Sequence, residues 1–127
     1  MRQKVLSIAV ALPLVVVMGL WTMSAAQRVS EQGQAMVDEI EAAMRAGEPE
    51  SACAAARALE ETWEKWEAAL QLWVCHEDTD QVREKLLLVL CGLENDDRGM
   101  VMENAALLRE ALTHLHHRDD VTWSNVF

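Results

Sequence analysis

Apolar residues follow two different rules along this chain. From Val5 to Met23 they run on without a charged residue, and beyond Ser30 they recur at intervals of three and four, with carboxylates between them. The first pattern predicts a helix with no polar face. A core helix of that length normally shows one, whereas a span needs only about 18 or more apolar residues to cross a hydrocarbon core of roughly 30 Å. The second pattern predicts amphipathic helices that bury one stripe each.

Turn signals cut the amphipathic part into four segments. The first starts near Ser30 as an N-cap and places Met36, Val37, Ile40 and Met44 on one stripe, ending at Gly47-Glu48-Pro49. The second runs from about Ser51 to Cys75, with Leu59, Trp63, Trp66, Leu70 and Trp73 forming a seam. His76-Glu77-Asp78-Thr79-Asp80 makes the next turn and helix start. The third carries Val82, Leu86, Val89 and Leu93, with Leu87 and Leu90 widening the buried face, and closes at Asn95-Asp96-Asp97-Arg98-Gly99. The fourth shows Val101, Ala105, Leu108, Leu112 and Leu115 before Arg118-Asp119-Asp120 and a short tail. Short connections force antiparallel neighbours, so the expected fold is all-α: a transmembrane helix followed by an up-down-up-down bundle, the first bundle helix being able to continue the span.

The flanks of the apolar run orient it. Arg2 and Lys4 precede it, and basic residues favour the cytoplasmic side, so the N-terminus is expected inside and the bundle outside. Trp21 falls at the outer end, where an indole suits the membrane interface. Pro13 is tolerable in a membrane helix. The division is thus 1–26 as membrane anchor or signal segment and 27–127 as extracytoplasmic bundle. Ser24-Ala25-Ala26 also offers the small residues of a signal-peptidase site, with Gln27 as the new N-terminus of a secreted form. Residues 5–23 exceed the roughly 7–15 apolar residues of a signal's central region, which favours the anchor.

Beyond residue 26, nine Lys and Arg face twenty-one Asp and Glu, a formal net charge of −12. That argues against nucleic acid and against adhesion to anionic lipid through a basic patch. Scarce Gly and Pro, and no Tyr, agree with helix. Three cysteines without a Cys-x-x-Cys pair give no disulfide framework. Bundle topology permits a Cys53–Cys91 bridge at the membrane-distal end, and burial as small hydrophobes is the simpler expectation for Cys53, Cys75 and Cys91.

The histidines carry the sharpest local chemistry. His114 and His117 lie three residues apart on one helix, and antiparallel topology brings His76 to the same end, a candidate zinc-type set with Glu77 in reach. His116, Trp73, Trp123 and Phe127 are expected there too, as membrane-proximal interaction candidates. Capping explains the same residues: His favours a helix C-terminus, and Glu77, Asp78 and Asp80 a helix N-terminus. There is no Gly-x-Ser-x-Gly elbow and no glycine-rich phosphate loop, so no catalytic residues and no cofactor are expected.

The apolar start, the Trp-rich helix leading into Leu72-x-x-x-His76-Glu77, the leucine-rich third helix, and His116-His117 before Asn125-Val126-Phe127 resemble an uncharacterised bacterial family, known mainly from Firmicutes, catalogued as domain of unknown function four-three-six-three. The resemblance implies a single-pass or exported helical protein and supplies no activity. It also implies association with an integral membrane protein encoded nearby. The function expected is a non-enzymatic, membrane-anchored interaction or scaffold module with a membrane or envelope protein partner; a metal- or small-ligand-binding bundle built on the histidines is the alternative.

Overall fold

A computed structural model describes the backbone of residues 1–72 and 74–126, and the side chains of these except residues 22, 23 and 116–126. Four helices account for nearly all of it: α1 (Arg2–Arg45), α2 (Pro49–Leu70), α3 (His76–Glu94) and α4 (Arg98–Val126). Consecutive helices pack on one another, α1 closes the ring against α4, and neither diagonal pair touches among the described residues. This is the square plan of an antiparallel bundle.

The helix ends show why the chain turns where it does. Gly47 takes φ +73° after α1, and the Glu48 N–H reaches back to the Ala43 carbonyl at 2.9 Å. That is a Schellman-type closure, in which a residue without Cβ adopts the left-handed region freely. Pro49 then opens α2 with its φ already helical and no N–H to satisfy. At the other distal turn, Asp96 takes φ +52° and the Asp97 N–H bonds the Gly92 carbonyl at 2.9 Å. Asp97 in turn accepts from the Met100 N–H at 3.1 Å, so it caps α4 immediately. Arg98 and Gly99, expected in the loop, therefore belong to α4.

Three boundaries depart from expectation. Ser30 does not start a helix: α1 runs through it, and its buried hydroxyl accepts from Gln34 at 3.0 Å. Nothing between Ser24 and Ser30 breaks a helix, and burial of Ala26 (2 % exposed) and Val29 against the bundle holds that stretch in register. α2 ends at Leu70 rather than Cys75, because Cys75 takes an extended conformation (φ −58°, ψ 131°) and its carbonyl accepts from the Asp78 and Thr79 N–H groups to begin α3. α4 continues to Val126 where a tail was expected after Asp120.

The core follows the stripes. Val37 and Ile40 of α1, Leu59, Trp63 and Leu70 of α2, Val82, Leu86, Val89 and Leu90 of α3, and Val101, Ala105, Leu108, Leu112 and Leu115 of α4 are all buried. Met36, Met44, Trp66 and Leu93 pack against its edge. Leu87 is not part of it: it is 52 % exposed, one helical step round from Leu86 and outside the arc facing the core.

Gly92 permits the close approach of α3 and α4. A Cβ there would lie 2.9 Å from Val101 Cγ2 and 3.0 Å from the Val101 backbone nitrogen. Helix propensity favours Ala over Gly by about 1 kcal/mol, while overpacking costs about 1–3 kcal/mol. One of the atoms met is backbone, so α4 itself must move and the clash should win. Gly92→Ala is expected to lower the urea midpoint; a raised midpoint would show that α4 yields freely.

The cysteines correct the sequence reading. All three are free, and Cys75 and Cys91 are exposed rather than buried. Antiparallel register between α2 and α3 is marked by Arg83–Glu67 and by Arg57–Glu94 at 3.9 Å. At 1.5 Å rise per residue this leaves Cys53 and Cys91 about 10 Å apart along the axis, beyond the reach of a disulfide.

Candidate functional site

Among the described residues, none of α1 before Ala26 belongs to the buried core. Val5, Leu6, Ile8, Val10, Leu12 and the apolar residues after them stand exposed, and no part of the most apolar stretch is buried. It is one helix long and apolar enough to cross a membrane, near the N-terminus. The bundle begins within a turn of its end.

At that junction lies a groove of about 280 Å³. One wall is α1, with Trp21, Ala25, Arg28, Val29 and Gln32 recurring at three- and four-residue steps; the other is the end of α2, with Trp66, Ala69 and Leu70, followed by Val74. Trp21 is 64 % exposed and Trp66 half-buried, so two indoles flank an otherwise aliphatic floor. Arg28 uses its Nε on the Ser24 carbonyl at 3.4 Å and makes no ion pair among the described residues.

Behind the groove the core turns polar. Ser30, Glu67, Asp78 and Thr79 are all buried at the end of the bundle nearest the apolar segment. Glu67 is 3 % exposed and pairs with Arg83 of α3, while its Oε1 and the Trp63 Nε1 are buried without a hydrogen-bond partner among the described residues. A second ionic tie joins α1 to α4, where Arg109 bonds Glu41 at 2.9 Å and also Asp38. The Glu41 hydrogen bond, opposed by burial and reinforced by Asp38, raises the Arg109 pKa above the ordinary arginine value. A cation with a raised pKa contributes its stability at every pH below its ordinary value, so Arg109 stays charged at all ordinary pH.

The sequence-predicted site residues fare unevenly. His76 and Glu77 are exposed at the start of α3. His114 is also exposed, its Nε2 lying 3.6 Å from Glu110 on the preceding turn. Among the described residues no three His, Cys, Asp or Glu side chains gather as a metal would require. The side chains of His116, His117 and Trp123, and the whole of Trp73 and Phe127, lie outside the described residues. Sequence reasoning missed the pairing of Trp21 with Trp66 across α1 and α2. It also missed Glu67, a carboxylate four residues after Trp63, whose place inside the seam was the available signal.

The family model described as Domain of unknown function (DUF4363) matches residues 20–126, from the last turn of the apolar stretch to the end of α4. No curated protein and no solved structure matches the chain.

Proposed function

The chain belongs to the DUF4363 family, a domain of unknown function, and from that premise we propose that it is a single-pass membrane-anchored module. Its helical bundle sits on the extracytoplasmic face and works by non-enzymatic interaction with a membrane or envelope protein. The observation that carries the reading is the continuity of α1. One helix is bare and apolar over residues 5–21, then becomes a packed wall of the bundle at Ala26 and Val29 without a break. Such a helix fixes the bundle against the bilayer instead of tethering it through a flexible linker.

The same continuity favours the anchor over the cleaved signal. A peptidase needs the chain around Ala26 unwound, yet Ala26 is helical and 2 % exposed. Cleavage there would remove a core residue and the turn before it. Arg2 and Lys4 ahead of the span, with the acidic bundle after it, support the N-terminus-inside orientation.

The interaction reading is tested by solubilising the full-length chain from its native membranes in a mild detergent. It should elute together with a second membrane or envelope protein, and charge reversals at exposed bundle positions should dissociate that complex while the chain still fractionates with membranes. A chain that elutes alone under every extraction condition, or a purified chain that turns over a substrate, would contradict the proposal.

A further inference from the structure

Resting on the anchored reading, we infer that the groove between α1 and the end of α2 holds one phospholipid of the outer leaflet, its phosphate on Arg28 and its acyl chain along Val29, Ala69, Leu70 and Val74. Two observations choose this occupant. The groove is continuous with the bare apolar helix, because Trp21, on the last turn of that helix, is itself a lining residue. A lipid lying against the span therefore enters the groove without leaving the interface. The charge also matches: Arg28 is the sole cation among the lining residues of a domain that is otherwise strongly acidic, and a guanidinium presents a fork of N–H groups suited to phosphate.

The groove is bounded by two indoles and a largely aliphatic floor. Trp21 and Trp66 fit the glycerol level, where an indole has an apolar body and a wet N–H.

The test uses the full-length chain in vesicles of phosphatidylcholine and phosphatidylglycerol doped with a phosphatidylcholine that carries a diazirine on its acyl chain. Flotation reports anchoring; peptide mapping after illumination reports the groove. Adducts are expected on Trp66, Ala69, Leu70 or Val74 of α2 and its exit, as well as on residues 5–21. Ala69 is exposed, so Ala69→Trp fills the groove with little risk to folding and should remove the α2 adducts while leaving those on the span. Arg28→Gln should reduce the α2 adducts about tenfold, the order expected for one charge-assisted hydrogen bond.

A floating chain labelled only on its span would overturn the lipid site and leave the anchor standing. α2 labelling indifferent to Ala69→Trp would likewise overturn it, by showing nonspecific capture. If α2 stayed unlabelled and the chain ran instead as a compact oligomer in the same vesicles, the groove would belong to a second copy. A chain that failed to float would overturn the anchored reading and this inference together.

Discussion

Replacing Leu14 and Val16 with arginine should release the chain from the membrane. Each arginine near the centre of a span opposes insertion by about 2.5–3.5 kcal/mol, so the two together shift the equilibrium by roughly four orders of magnitude. Both positions are exposed and lie outside the buried core of the described residues, so the substitutions leave that core's packing untouched. The double variant should leave the carbonate-resistant membrane pellet while the bundle keeps its helical circular dichroism and melting temperature. A double variant that stays in the pellet would mean that something other than residues 5–23 holds the chain there.

The second large effect lies in the core. Trp63 is 2 % exposed and the largest fully buried side chain, and Trp66 is only half-buried at the groove edge. Trp63→Ala should cost about 3–5 kcal/mol by loss of transfer energy and creation of a cavity. A small domain is stable by about 5–15 kcal/mol in total, so this variant should sit near or past its unfolding midpoint on mild heating. Trp66→Ala removes less buried surface and should cost about 1–2 kcal/mol. Urea unfolding followed by circular dichroism separates them. Equal costs would contradict the assignment of Trp63 to the core and Trp66 to a surface groove.

How much of this was legible beforehand depends on which force set each feature. Periodicity found all four bundle helices and the larger core residues, because burying one stripe per helix is the dominant stabilisation and leaves a direct trace in spacing. Ala26, Val29, Ala52, Ala56 and Ala111 were missed, since alanine is common on every face of these helices and Val29 precedes the expected helix start. Leu87 shows the limit: leucine next to a stripe reads as part of it, and only the angle at which α3 meets its neighbours decides that it faces water. Ser30 shows another. An N-cap residue is only a preference when the preceding turns are themselves good helix, and packing of Ala26 and Val29 carries α1 through it. The turn at Asp96 and Asp97 was read two residues too wide, since both are turn formers and their separate roles, left-handed closure of α3 and cap of α4, depend on backbone geometry.

The candidate site was less legible. Trp21 was recognisable as an interface residue and Trp66 as part of a seam, but the register between α1 and α2 that places them across one groove is not written in either helix alone. The ionic ties have the same character: Arg109 with Glu41, and Arg83 with Glu67, join residues distant in sequence, and an acidic chain offers too many carboxylates to choose among. The histidine cluster was suggested by the spacing of His114 and His117 on one helix and by the topology that brings His76 to the same end. Of its members, His76 and His114 are exposed, and His114 lies beside Glu110.

The orientation of the bundle is the claim on which the rest depends, and the exposed, free Cys91 provides the probe. With Cys53 and Cys75 replaced by serine, a membrane-impermeant maleimide is applied to intact cells and the chain is then recovered from the membrane fraction. An anchored extracytoplasmic bundle requires Cys91 to be labelled in intact cells, on a chain that still carries residues 1–26. Labelling that appears only after the cells are broken would place the bundle on the cytoplasmic side and contradict the account.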